Sequence, residues 1–207
     1  MASPMLDAAL RLAALGWRVH PCEPRGKRPL LPRWPERATD DPEALRSWWT
    51  RWPDANPAVA TGEGSGLVVL DIDGDEGWRS MERLEELHGG ALPPTLKVAT
   101  SRGEHWYFRH PGGHVGNGTA IHGFDGLDVR ADGGYVLGAG SVHPSGHVYE
   151  FVVEPNCPLG VLRELVSKLP EAPAVLCGTR TTSRARAATV APPDGWGWLE
   201  SAAGVSR

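Results

Sequence analysis

An aliphatic run, Leu67-Val68-Val69-Leu70, leads into Asp71-Ile72-Asp73 and is bounded by Gly66 and Gly74. Its shortness and its β-branched residues predict a buried strand over 67–74 rather than a helix. Side chains alternate across a strand, so Asp71 and Asp73 fall on one face while Ile72 turns back to the core. Helical periodicity predicts helices over Pro4–Leu15, Pro42–Arg51, Asp75–His88 and Leu159–Leu169. Gly16 stops the first and Thr39 or Asp40 caps the second; Trp78, Met81, Leu84, Glu85 and Leu87 lay the third out amphipathically. Short strands are expected at Trp17–His20, at Ala58–Thr61 as an edge, and at Val148–Val153. Two hairpins follow: Leu96–Thr100 with Glu104–Arg109 around Ser101-Arg102-Gly103, and Leu127–Ala131 with Tyr135–Ala139 around Asp132-Gly133-Gly134. Pro21–Pro35 reads as a basic loop and Pro111–Phe124 as a mobile, glycine-rich one. Beyond Pro170 the periodicity ends, which divides the chain into a domain over 1–170 and a disordered Pro/Ala/Arg-rich tail over 171–207.

Composition removes several classes of function. Hydrophobic content of 41% and charged content of 22% are those of a soluble globular protein. No apolar run nears the roughly 20 residues needed to cross a bilayer, and Met1-Ala2-Ser3-Pro4 lacks the layout of a signal peptide. A cytoplasmic protein with no membrane partner is expected. Cys22, Cys157 and Cys177 are odd in number and far apart, which argues against a disulfide framework and a structural zinc alike. With a net charge of −4, any nucleic-acid surface must be local, and Arg25, Lys27, Arg28 and Arg33 of the basic loop are its natural source. Trp48, Trp49 and Trp52 could stack on bases, but tryptophans at this spacing mostly bury area.

Candidate chemistry starts from the paired acids. Asp71 and Asp73 stand about 7 Å apart on one strand face and repel each other unless a cation lies between them. Asp71, Asp73, Asp75 and Glu82 match positions of a calcium loop, yet Glu76 stands where that loop needs glycine and a strand precedes it, so an EF-hand is rejected. Asp128 shares a face with Arg130 on a second strand, and His105 follows the Gly103 turn on a third. Three carboxylates converging from neighbouring strands suit two hard cations, Mg²⁺ or Mn²⁺, in nucleotidyl transfer. His105 and the glycine turn would grip phosphates, with basic residues as counter-charge. The spacings His110-x3-His114 and His143-x3-His147 come without a cysteine pair and carry no assignment.

An ordered set of short motifs carries a resemblance. It runs through Gly16-Trp17-Arg18-Val19-His20-Pro21, Gly26-Lys27-Arg28-Pro29, Trp48-Trp49, Thr61-Gly62, Leu70-Asp71-Ile72-Asp73, Ser101-Arg102-Gly103-Glu104-His105 and Leu127-Asp128-Val129-Arg130. From about residue 5 to 168 the chain resembles the bifunctional DNA primase/polymerase (Prim-Pol) domain of the archaeo-eukaryotic primase superfamily. The resemblance implies an α+β fold with an RRM-like core, a mixed or antiparallel sheet flanked by helices. It implies a primase and DNA polymerase, with Asp71, Asp73 and Asp128 as catalytic metal ligands for two Mg²⁺ or Mn²⁺ ions. Ser101, Arg102, Gly103 and His105 would contact the nucleotide phosphates, Arg102 standing where relatives often carry a second glycine. Arg130 and Lys27 would contact nucleotide or template. The partners implied are a single-stranded DNA template, NTP or dNTP, and a separate replicative helicase. Two other readings of the same residues are a catalytically silent nucleic-acid-binding module and a metal-dependent nuclease.

Overall fold

The computed structural model describes residues 3–178. The organising strand, β3 (Leu67–Asp73), lies inside a five-stranded sheet and pairs antiparallel on both sides. Leu67 and Val69 point into one core and Val68, Leu70 and Ile72 into another, so the run is buried on both faces. Each such side chain contributes about 1.5–3 kcal/mol of burial. That anchoring fixes where the strand ends, and the acids sit at the end.

The remaining elements are α1 (Pro4–Ala13), β1 (Val19–Cys22), α2 (Trp34–Arg37), α3 (Pro42–Arg51), β2 (Asn56–Ala60), α4 (Gly74–His88) and β4 (Leu96–Ala99). After them come β5 (Gly103–Arg109), β6 (Leu127–Arg130), β7 (Tyr135–Leu137), β8 (Glu150–Phe151) and α5 (Leu159–Ser167). They form two antiparallel sheets, of order β1-β2-β7 and β6-β3-β5-β4-β8. Helices α1, α3 and α5 cover the first core, built on both sheets, and α4 covers the second. The α+β architecture with antiparallel pairing and flanking helices is as expected; among the described residues the parallel pairing is one isolated bridge, Arg109 with Glu171.

Several expectations need correction. The first strand is Val19–Cys22 rather than Trp17–His20, because its ladder to β2 runs through Pro21 opposite Pro57. An edge strand tolerates proline there. Residues 58–61 were expected at an edge, yet β2 is the middle strand of its sheet. Asp41 caps α3, its carboxylate accepting from the Glu43 N–H, while Thr39 Oγ1 accepts from the Asp41 N–H. On α4, Met81 and Leu84 are buried but Trp78 and Leu87 are exposed. The expected hairpin around Asp132-Gly133-Gly134 does not form: β6 belongs to one sheet and β7 to the other, and this turn carries the chain across. Segment 111–124 is tied along β6 by the Gly118–Val129 bridge and by Asn117, whose amide bonds the backbone of Ala131 and Asp132. The domain also runs past 170. Ala172, Val175 and Leu176 are buried in the second core. Arg180, Arg184, Arg186, Trp196, Trp198 and the rest of the expected tail from 179 on lie outside the described residues. The tryptophans of α3 do fill the core, with Trp49 buried and its indole N–H donating to the Ala55 carbonyl at 2.9 Å.

Candidate active site

Register decides the site. Asp71 pairs across β3 with Asp128 of β6 on one side and with His105 of β5 on the other. Residues directly opposite in an antiparallel ladder share a face, and like charges so placed are destabilising. Two carboxylates held side by side in a strand interior therefore do not serve the fold. Asp73 lies two residues further along the same face, opposite Gly103. A Cβ at position 103 would be driven into the Ile72 carbonyl oxygen, so only glycine lets β5 approach β3 this closely. The Gly103 N–H is already engaged by Thr100 Oγ1 at 3.1 Å. Its place in the ladder is thus set by strand approach.

The electrostatics follow from this placement. The Asp71 carboxyl is pushed up to about 6, chiefly by burial; Lys27 and Arg130 oppose the rise while Asp128 and Asp73 reinforce it. His105 is pushed down to about 3, by burial first and then by Lys27 and Arg130, so the imidazole facing Asp71 Oδ1 at 3.5 Å is neutral. It packs edge-on to the Tyr149 ring, 5.8 Å between centroids. Asp128 Oδ1 accepts from the Ala120 N–H at 3.0 Å and Oδ2 from Arg130 Nη2 at 2.7 Å. Asp73, at the N-terminus of α4, makes no cap to that helix; its Oδ2 accepts from Arg102 Nη2 at 2.5 Å.

These side chains face one cavity of about 310 Å³ that takes in Asp71, Asp73, Asp128, Ser101, Arg102, His105, Arg130 and Lys27. Every site residue expected from sequence lines it except Gly103. A second cavity of about 360 Å³ shares Lys27, Asp71, His105, Arg130 and Tyr149 with the first and extends to the Gly133-Gly134 crossing and β7. The site thus lies where the two sheets part. Lys27 is delivered by the basic loop, where the Tyr135 hydroxyl donates to its carbonyl at 2.8 Å. Sequence reasoning missed Thr100, His143 and Tyr149. Only His143 left a signal, in the unassigned His-x3-His spacing; the other pair, His110 and His114, converges on Asp132 outside this cavity.

Hard oxygen donors on adjacent strands suit Mg²⁺ or Mn²⁺ in kind. Among the described residues, however, no three His, Cys, Asp or Glu side chains close around one point as metal ligands would. Two of the three acids are turned onto arginines instead.

The family model for the bifunctional DNA primase/polymerase N-terminal domain (Prim-Pol) matches residues 9–193. The chain belongs to the Prim-Pol family. No curated protein matches it. As a Prim-Pol domain it is of the primase/polymerase kind of nucleotidyltransferase, and its paired strands β3, β5 and β6 lie wholly within the match. No helix among the described residues is long and apolar enough to cross a membrane.

Proposed function

We propose that this Prim-Pol domain is a template-directed primase and polymerase that adds nucleotides to a 3′-hydroxyl by two-metal-ion catalysis. The observation that carries the reading is the juxtaposition of Asp71 and Asp128 on neighbouring strands, with Asp73 beside them and His105 across. Asp71, Asp73 and Asp128 would hold Mg²⁺ or Mn²⁺, whose chemistry is to acidify the attacking hydroxyl and offset charge on the departing pyrophosphate. Ser101, Arg102, Arg130 and Lys27 line the same cavity and supply a hydroxyl and three cations to the triphosphate. The neutral imidazole of His105 faces Asp71 without discharging it. The cavity leading toward the Gly133-Gly134 crossing is the space for sugar and base, walled by Tyr149 and Tyr135. A single-stranded DNA template would supply the sequence information.

The arginine pairing of Asp73 and Asp128 favours a second reading, a silent nucleic-acid-binding module of the same fold. One experiment separates the two. Purified protein is incubated with single-stranded template, labelled nucleotides and Mn²⁺ or Mg²⁺, with and without primer. Products without primer establish priming, and extension with primer alone establishes polymerase activity. Template binding without synthesis establishes the silent module. Asp128→Asn should abolish synthesis in a folded protein, and retained synthesis would overturn the assignment.

A further inference from the structure

Three acids and three bases share the cavity, but unevenly. Arg102 is paired with Asp73 and Arg130 with Asp128, whereas among the described residues Asp71 has only the neutral imidazole of His105 as an ionic neighbour. Lys27 and Arg130 act on Asp71 from longer range without pairing with it. The cation-free cavity is thus close to electroneutral and a poor attractant for a polyanion. We propose that Arg102 and Arg130 are exchangeable counter-ions: each guanidinium holds an outer carboxylate in the cation-free protein and, when a divalent cation takes that carboxylate, turns to the phosphate chain of the nucleotide. The proposal rests on the reading of the cavity as a nucleotidyl-transfer site.

The details fit exchange rather than permanent bracing. The Arg102–Asp73 pair is solvent-exposed, and such pairs are weakly held. Asp128 keeps Oδ1 on the Ala120 N–H, so loss of Arg130 frees Oδ2 without letting the carboxylate swing away. Asp71 requires no displacement and is the natural first contact for a cation. Both guanidiniums line the cavity with Ser101, and their planar forks match phosphate oxygens as well as carboxylates. Exchange makes cation and nucleotide binding help each other, by the same factor in both directions.

The test reads Mn²⁺ binding by the loss of its free electron paramagnetic resonance signal, with no nucleotide present. Arg130→Gln should tighten Mn²⁺ by about fivefold or more, the lower end of typical coupling, and Arg102→Gln, on its exposed pair, by about two- to fivefold. Lys27→Gln removes the same charge without vacating a carboxylate oxygen and should tighten it less. With Mn²⁺ saturating, both arginine variants should bind dATP more weakly than the wild type. Arginine variants that hold Mn²⁺ no tighter than Lys27→Gln overturn the exchange alone. A wild type whose Mn²⁺ binding is absent, or survives Asp71→Asn, overturns the nucleotidyl-transfer reading with it. Arg102→Gln lies on an exposed pair and decides the matter should Arg130→Gln fail to fold.

Discussion

Replacing Asp71 with asparagine removes a buried charge while keeping the side-chain shape. In the folded protein this carboxyl is pushed from 3.8 up to about 6, by burial first, with Asp128 and Asp73 adding to the rise against Lys27 and Arg130. Each unit corresponds to about 1.4 kcal/mol, so the ionised carboxylate costs the metal-free fold about 3 kcal/mol. Its side chain is 22% exposed, which trims this figure without removing it. The stabilisation gained by holding the proton is complete below 3.8 and lost as the pH rises through about 6. Asparagine undergoes no such loss. With chelator present, variant and wild type should match near pH 4, and near pH 7.5 the variant should be more stable by up to about 3 kcal/mol. For a chain of this size that is on the order of 6–12 °C in Tm. Chemical denaturation at both pH values measures it. A variant no more stable than wild type at the higher pH, or stabilised equally at both, refutes the reasoning.

Three further outcomes follow from the same geometry. The His105 ring, held near 3, should show no titration in nuclear magnetic resonance spectra between about pH 5 and about pH 8; a midpoint in that window would mean the imidazole carries charge beside Asp71. Gly103→Ala forces β5 away from β3 and should cost on the order of 3 kcal/mol or more, read from the denaturant midpoint; a cost under about 1 kcal/mol would show that the ladder has slack there. Ala120 adopts the left-handed conformation at φ 45°, so Ala120→Gly should stabilise the fold by about 0.5–1 kcal/mol. Destabilisation there would indicate that the loop over Asp128 is held by contacts of the methyl group.

Local physics made much of this molecule readable from residue order. β3 announced itself because an aliphatic run too short for a helix ended in alternating acids, and the β4–β5 hairpin because a glycine turn separated two apolar runs. The α3 range was also legible, since within a helix Pro42 fits best in the first turn. What failed was long-range. Asp132-Gly133-Gly134 has the chemistry of a hairpin turn, and nothing local says that its flanking strands join different sheets. Likewise, 171–178 lacks period because it is a strap over the second core: Ala172, Val175 and Leu176 bury single side chains without forming an amphipathic face.

The site shows the same division more sharply. That Asp71, Asp73 and Asp128 belong together was legible only from the three acids taken with the ordered motifs around them, since a strand also ends in polar turn residues without any site; the Asp71–Asp128 register bears out their proximity. Arg130 could be placed beside Asp128, since the two are 2 residues apart on one strand face, but Arg102 is 29 residues from Asp73 and that pairing could not be inferred. Both nonetheless end in the same relation, a guanidinium on Oδ2 of an acid beside Asp71, with Asp71 itself facing a neutral imidazole. Two unrelated stretches of chain converging on one charge pattern is hard to attribute to either stretch separately. Stability does not explain it either: the pairs are solvent-exposed or half-buried and the central carboxyl is energetically costly. A cavity whose flanking acids carry replaceable counter-ions, around a central acid with no cation paired to it among the described residues, is organised for the arrival of charge from outside.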